Sequence, residues 1–204
     1  MHDHVRVPPT RRSRQAAPPV TTPLKFRQRR FRGRTLDERL AVRAPRLLSS
    51  IAARVTRLPV GSRLRRYLVA RRTCQGFQAV GRGDLDLLLA VYHDHVVTTF
   101  ESVDGWPPDL VGSHEGKDAF RRVWESWSEL WEELRVEPRE LVDFGDRLLV
   151  TVDMVGRGRS SGVQTEVRYY DLYVLRDGLI SQHRMFRNRD AAFAAATERG
   201  RDGG

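Results

Sequence analysis

The chain has 204 residues, a formal net charge of +10, and a single cysteine. This length suits one ordinary domain with an extension, the lone cysteine excludes an intramolecular disulfide framework, and no apolar run reaches the ~18 residues that a membrane span needs. The charge is divided unevenly, +17 in residues 1–72 and −7 in residues 73–204, so the basic balance of the whole chain does not indicate a nucleic-acid-binding protein.

Residues 1–34 are rich in Pro and Arg, with apolar residues too few and too scattered to bury. Such a composition predicts a disordered tail. The segment lacks the apolar core of a secretory signal, so we expect a cytoplasmic protein without a transmembrane segment. Contact with nucleic acid or an acidic membrane through residues 1–72 is an alternative role for the charge, which we do not favour.

Residues 35–61 are predicted to form a basic amphipathic helix. Thr35 and Glu38 have the spacing of a capping box, an apolar stripe follows at helical spacing, and Pro59 with Gly61 ends the helix near residue 58. A helix of this kind lies on a membrane surface in some proteins. We expect this one to dock on the protein's own domain.

Residues 62–198 have the pattern of one α+β domain, and residues 199–204 are predicted to be a disordered tail. Helices come first and a run of antiparallel strands follows. The predicted helices are 62–80, 85–92, 117–133 and 189–198, and the predicted strands are 96–102, 134–144, 147–156, 164–175 and 179–188.

Four segments within residues 70–198 carry a family resemblance. They are "GFQAVGRGDLDLLLAVYHDHVVTTF", "GKDAFRRVWESW", "DFGDRLLVTVDMVGRG" and "YYDLYVLRDGLISQHRMFRNRDAAFAAA". Their order resembles the SnoaL-like branch of the NTF2-like superfamily. The resemblance implies a cone in which a curved antiparallel sheet wraps three helices around a pocket. That fold serves polyketide cyclases, ketosteroid isomerases and non-catalytic binding domains, so function needs a separate argument.

The hairpin around "RDG" decides whether Asp171 and His183 face each other. A two-residue loop, Asp177-Gly178, would place Asp171 opposite Arg184 and His183 on the other face of the sheet. A three-residue loop would place Asp171 opposite His183, and a glycine in its last position suits a type I turn with a glycine bulge. We favour the three-residue loop, because one face then gathers aromatic and polar side chains as a ligand pocket does.

The family resemblance gives a second reason to place these side chains together. SnoaL-type cyclases carry a catalytic aspartate on the last strand, and that position holds Met185 here. A pocket histidine on their preceding strand falls on Asp171, so the resemblance implies that positions 171 and 185 share a face. Because Met185 replaces the aspartate, the mechanism of those cyclases is not inherited unchanged.

An adjacent Asp171 and His183 would form an acid–base pair. Histidine exchanges protons near neutral pH, and a neighbouring carboxylate fixes its tautomer. Proton transfer on a small apolar carbonyl compound, as in an isomerase, cyclase or dehydratase, needs no cofactor. In another assignment Asp171 itself is the base. The alternative function is a non-catalytic ligand-binding or dimerisation domain with an Arg-rich localisation tail.

Other residues are predicted to line the same pocket. The aromatic residues of the 117–133 helix recur on one stripe, one turn of which lines the pocket mouth, and Thr99 and Glu101 share one face of their strand. The predicted lining residues are Tyr92, Thr99, Glu101, Trp124, Trp127, Tyr169, Tyr173 and Met185.

The remaining histidines do not predict a metal site. His93 and His95 are expected in a turn, with His114 and Glu115 near in sequence, and no firm fourth ligand follows. We therefore predict no metal. Because relatives of this fold are often dimers through the outer sheet face, we expect a homodimer.

Overall fold

The computed structural model describes residues 22–26, 33–102 and 107–198, which form an α+β fold around a seven-stranded sheet. The helices are α1 (Leu36–Arg43), α2 (Pro45–Thr56), α3 (Arg63–Arg82), α4 (Leu85–Leu89), α5 (Lys117–Glu129) and α6 (Arg189–Thr197), with a 3₁₀ turn at Pro108–Leu110. The strands are β1 (Leu24–Lys25), β2 (Tyr92–Phe100), β3 (Gly112–Glu115), β4 (Trp131–Asp143), β5 (Arg147–Gly158), β6 (Gln164–Arg176) and β7 (Leu179–Phe186).

The sheet is curved and unclosed, with the strand order β1-β4-β5-β6-β7-β2-β3. Every neighbouring pair is antiparallel except β2 and β7, which run parallel. The main core lies between the inner face of this sheet and helices α3 and α5, and includes Phe77, Phe120 and Val152. The helix α6 covers part of the outer face, where Leu172 and Phe186 are buried. The fold is the cone that the sequence predicted.

Helix α3 is the longest of the described helices and is capped at both ends. The Ser62 side chain accepts a hydrogen bond from the backbone N of Arg65 at the start, and Gly83 takes the left-handed conformation (φ 66°) that ends it. The helix packs along β4. Its first turn is held there because the buried Arg65 pairs with Asp143 at the end of β4.

The basic extension forms two helices where one was predicted. The break falls at Ala44 (φ −134°, ψ 64°), directly before Pro45. A residue that precedes proline is driven out of the helical region, and proline itself is favoured in the first turn of a helix. The predicted capping box at Thr35 and Glu38 is present, and it starts α1.

Ion pairs fix the extension to the domain. Asp37 of α1 accepts hydrogen bonds from the side chains of Arg71 and Gln75 on α3. Just before α1, Arg34 pairs with Asp84, the residue that caps α4. Part of the positive charge in residues 1–72 is therefore neutralised within the protein. Contact of residues 1–72 with nucleic acid or membranes, the alternative that the sequence did not favour, stays untested.

The β6–β7 hairpin has a two-residue loop, so the favoured three-residue loop was wrong. Arg176 pairs with Leu179, and the intervening Asp177 (φ 52°) and Gly178 (φ 77°) both have positive φ, as a type I′ turn requires. The register then shifts by one residue at Ser181, which forms a β-bulge on β7.

The bulge restores the shared face that the resemblance implied. Beyond it, Tyr173 lies opposite His183 and Asp171 lies opposite Met185. Asp171 and His183 are thus diagonal neighbours on one face, although neither loop alternative predicted this pairing. A bulge adds one residue to one strand, so it turns every later side chain of that strand to the other face.

Several predicted boundaries differ from the structure. The helix predicted at 85–92 is α4, and it ends at Leu89. Strand β2 begins at Tyr92, so His93 and His95 lie on a strand rather than in a turn. Within the predicted disordered tail, Leu24–Lys25 forms a strand beside β4. The other predictions for residues 1–21, 27–32 and 199–204 lie outside the described residues. Among the described helices, none is long and apolar enough to cross a membrane.

Candidate active site

A cavity of about 420 Å³ lies inside the cone. Its walls come from α3, α5 and the inner face of the sheet, and α1 and α2 of the extension complete the lining. Helix α2 packs so closely against the β6–β7 hairpin that Gly178 has no room for a side chain. A Cβ atom added there would lie 2.6 Å from the backbone C of Ala52 on α2. The extension is therefore part of the site.

The strand register and α5 bring most of the predicted site residues to this cavity. Asp171 and Met185 face each other across β6 and β7, and His183 and Tyr173 do the same one step nearer the turn. The predicted residues on the wall are Asp171, His183, Tyr92, Trp124, Trp127, Tyr169, Tyr173 and Met185.

Thr99 and Glu101 do not line the cavity, which corrects the prediction for these two residues. Thr99 is paired with Arg184 on the opposite side of the sheet from His183, whereas Phe100 lies beside Met185 on the inner face. Glu101 is exposed and accepts a hydrogen bond from the backbone N of Arg187. The alternation of β2 was therefore assigned to the wrong face.

Four side chains on the cavity wall form one hydrogen-bonded network. His183 Nε2 lies 3.0 Å from Asp171 Oδ1, and the Tyr92 hydroxyl lies 3.0 Å from His183 Nδ1. The Tyr173 hydroxyl donates to the second carboxylate oxygen, Asp171 Oδ2, at 3.0 Å. Asp171 and His183 are only 4% and 7% exposed, so the network is shielded from bulk water.

The chemistry of the carboxylate determines how the protons are arranged. A carboxylate only accepts hydrogen bonds, so His183 carries its hydrogen on Nε2 and donates it to Asp171. In neutral His183, Nδ1 is then an acceptor, and the Tyr92 hydroxyl donates to it. The order Tyr92–His183–Asp171 is a chain in which one proton can move from oxygen to nitrogen while the carboxylate stabilises the resulting imidazolium.

The tyrosines of the site stay protonated at neutral pH. Burial raises the pKa of Tyr92, Tyr169 and Tyr173 well above the ordinary value, and the charge of Asp171 raises each pKa further. Each hydroxyl is therefore a hydrogen-bond donor rather than a phenolate. This favours a role for Tyr92 in passing a proton on, and opposes a role as a free anion.

The cavity also has lining residues that sequence reasoning missed. They include Phe100 on β2, Ile51 on α2 and Arg72 on α3. The alternation of β2 predicts that Phe100 lines the cavity, but only if the inner face of that strand is already known. Ile51 reaches the cavity only through the docking of the extension on the cone, and Arg72 reaches it through the packing of α3 on the sheet, which no local pattern indicates.

His93, His95 and His114, the described histidines outside the network, have other partners. The rings of His93 and His95 lie 6.0 Å apart near the start of β2, and His114 Nε2 lies 3.4 Å from the carbonyl oxygen of Leu110. Within the part of the chain that the structure describes, no three His, Cys, Asp or Glu side chains are grouped in a way that could hold a metal ion.

Comparisons with known proteins identify the family. The SnoaL-like domain family matches residues 75–183, which is more than half of the chain. A search of curated proteins finds no match.

Solved structures that are similar to this chain include the following three. An NTF2-like protein from Burkholderia xenovorans LB400 is 26% identical, with a TM-score of 0.48 and coverage of 63% of this chain and 95% of that one. TerC, co-crystallised with polyporic acid, is 18% identical, with a TM-score of 0.52 and coverage of 64% and 98%.

The third structure is an NTF2-like protein of unknown function from Burkholderia pseudomallei K96243, 19% identical, with a TM-score of 0.52 and coverage of 63% and 97%. The likeness to it and to TerC concerns the fold. This chain belongs to the SnoaL-like domain family and has the fold of the NTF2-like superfamily.

Proposed function

We propose that this protein is a cofactor-independent enzyme that moves a proton on a small apolar carbonyl compound, as an isomerase, cyclase or dehydratase does. The observation that carries the proposal is the Tyr92–His183–Asp171 chain on the wall of a largely apolar cavity. An apolar pocket with a few convergent polar groups is the usual form of a small-molecule site.

The hydrogen bonds favour His183 over Asp171 as the base. Both carboxylate oxygens are already engaged, one by His183 Nε2 and the other by the Tyr173 hydroxyl. Nδ1 of His183 has a lone pair directed at the Tyr92 hydroxyl. Asp171 therefore orients His183 and stabilises its protonated form, which agrees with the first of the two role assignments made from the sequence.

Tyr92 relays the proton without becoming a phenolate. As the Tyr92 oxygen takes a proton from the substrate, the hydroxyl gives its own proton to His183 Nδ1, and the imidazolium pairs with Asp171. The reverse movement returns a proton to another atom of the substrate. The protein is unchanged at the end, and the substrate gains no net proton, as an isomerisation requires. The raised pKa of Tyr92 supports this concerted route.

The test uses 2-tetralone, an enolisable bicyclic ketone of a size suited to the cavity, in deuterated water. We expect the wild-type protein to accelerate exchange of the hydrogens beside the carbonyl. His183→Ala and Tyr92→Phe should each reduce that acceleration by roughly 10²–10⁴-fold. His114→Ala is the matched control, because this histidine is outside the network, and it should exchange at the wild-type rate. Unchanged exchange in His183→Ala would refute the proposal.

Ligand binding without turnover is the second candidate function. It is favoured by the internal satisfaction of the network, since Asp171 and both nitrogens of His183 already have protein partners. In the same experiment, calorimetry that detects 2-tetralone binding to the wild-type protein, with exchange no faster than in buffer, would support this candidate over the enzyme.

A further inference from the structure

Besides Asp171 and His183, the described cavity wall carries three charged residues, Asp37 of α1 and Arg71 and Arg72 of α3. Arg72 differs from the other two because one of its nitrogen atoms is unsatisfied. Its Nη2 atom is buried and has no hydrogen-bond partner among the described residues. Arginine keeps its positive charge in proteins and offers five N–H donors. A buried cation is normally paired, because removing it from water is costly unless an anion or acceptor compensates for it.

The carboxylates nearest to Arg72 are occupied by other residues. Asp37 is bound by Arg71 and Gln75, as described above, and Glu38 pairs with Arg82. Both act on Arg72 only electrostatically, and burial lowers the pKa of its guanidinium. Among the described residues, no carboxylate forms an ion pair with it. The protein thus holds a partly buried cation, without a carboxylate partner among the described residues, on a largely apolar cavity wall.

Arg72 and the proton-transfer network line the same cavity. They come from different elements, since Arg72 lies on α3 beneath α1, whereas His183 and Asp171 lie on the sheet. A ligand that filled the cavity would meet a proton relay at one place and an unpaired cation at another. The two contacts together would fix its orientation as well as its affinity.

We infer that the natural ligand is an apolar compound with an anionic group, such as a carboxylate, that is bound by Arg72 while the carbon beside its carbonyl lies against the Tyr92 oxygen. This inference rests on the proposed function for the carbonyl, but the anion contact stands on the Arg72 geometry alone. A guanidinium binds a planar carboxylate through two parallel hydrogen bonds, and such charge-assisted bonds are stronger than neutral ones.

The test compares two fluorescent probes that share one apolar skeleton and differ in a single anionic group. These are 8-anilinonaphthalene-1-sulfonate, which is anionic, and N-phenyl-1-naphthylamine, which is neutral. Binding of each is measured on the full chain by fluorescence titration. Arg72→Met should lower the affinity for the sulfonate probe about 10- to 100-fold, the range expected for loss of a charge-assisted contact. It should change the affinity for the neutral probe by less than about threefold.

Two further variants separate binding from folding. Arg63→Met is the matched control, since Arg63 is exposed on the same helix and does not line the cavity; it should bind both probes as wild type does. Arg72→Lys keeps the charge but loses the planar fork, and should fall between wild type and Arg72→Met. Removing a partly buried cation that has no ion-pair partner among the described residues should leave the melting temperature of Arg72→Met equal to or above that of wild type.

The outcomes distinguish this inference from the proposed function. If Arg72→Met weakens both probes equally, or lowers the melting temperature while the sulfonate probe still binds, Arg72 is structural and the inference fails. Deuterium exchange on neutral 2-tetralone could still succeed in that case. If exchange fails but the sulfonate preference depends on Arg72, the anion site stands without the enzyme. If the wild-type protein binds neither probe, the inference is wrong.

Discussion

Two buried acid–base pairs in this protein have opposite surroundings. Arg65 and Asp143 are 1% and 3% exposed and pair through Arg65 Nε and Asp143 Oδ2 at 2.7 Å, and Arg65 also donates to backbone carbonyls of Thr56, Leu58 and Gly145. His183 and Asp171 are equally buried, but they face a cavity. The first pair joins α3, the end of α2 and β4, so it fixes the extension on the cone. The second pair joins two strands that the sheet already holds together.

The comparison shows that burial of a charged pair does not by itself mark function. Arg65 has its partners within the protein and leaves nothing for a ligand. The network at Asp171 is also satisfied, but it ends at Tyr92 on the cavity wall, where a ligand can join it. Access to a cavity, and a proton that can move, separate the second pair from the first.

The largest expected effect comes from breaking the structural pair. Asp143→Asn leaves Arg65 as a buried cation without its carboxylate, and we expect the free energy of unfolding to fall by about 3–5 kcal/mol in urea denaturation. Asp153→Asn is the control on the neighbouring strand, where Asp153 pairs with the exposed Arg168. Asp153→Asn should lower the free energy of unfolding by no more than about 1 kcal/mol. Equal losses in the two variants would contradict the distinction between the pairs.

A smaller effect on stability is expected from the cavity pair. In Asp171→Asn the amide oxygen still accepts from His183 Nε2, and no cation is left unpaired when His183 is neutral. We expect the free energy of unfolding to change by less than about 1 kcal/mol in either direction, because a single hydrogen bond is rearranged rather than lost. The exchange rate on 2-tetralone should nevertheless fall by roughly 10²-fold or more. A stability loss as large as that of Asp143→Asn would show that Asp171 is chiefly structural.

The smallest effect is a local one at acid pH. Burial tends to raise the pKa of Asp37, but hydrogen bonds from Thr35, Gln75 and Arg71 outweigh it and leave the pKa well below its usual value. The Arg34 hydrogen bond likewise lowers the pKa of Asp84. A carboxyl whose pKa is lower in the folded protein stabilises the fold at any pH above its pKa in the unfolded chain, about 3.9. That stabilisation is lost as the pH falls from about 3.9 through the pKa of the folded protein.

Hydrogen exchange can detect that local change. After correction for the intrinsic pH dependence of exchange, we expect amides of α1 to lose protection below about pH 4 while amides of β5 and β6 keep theirs. Asp37→Asn should reduce protection of α1 already at pH 7. Protection of α1 that follows the strands down to pH 2 would mean that its ion pairs do not hold it.

Much of the fold could be predicted from local patterns. The long alternating strands β4 to β7 and the order of elements predicted an α+β domain, and the family resemblance implied its cone shape. The break before Pro45 was also readable, because proline disfavours helix in the residue before it, but the apolar stripe continued through it and outweighed that signal. The end of α4 at Leu89 was missed because Tyr92 continues the apolar pattern into a strand.

The site was only partly predictable, and the hairpin shows why. Sequence analysis placed Asp171 and His183 on one face through a loop that does not form, and the bulge at Ser181 produced the same face by another route. A bulge depends on how neighbouring strands twist and pair, so no residue of the hairpin specifies it alone. Thr99 and Glu101 were misassigned for a related reason, since which face of β2 is buried depends on its parallel pairing with β7.

The sequence by itself determined the elements and the chemical inventory: where strands alternate, where helices are capped, and which acids, histidines and aromatic residues are available. These follow from interactions between residues a few positions apart. The tertiary structure alone decided that Tyr92 meets His183, that α1 and α2 contribute to the cavity wall, and that Arg72 Nη2 has no hydrogen-bond partner among the described residues. Those facts join residues far apart in the chain, and they depend on packing and register, which no local pattern encodes.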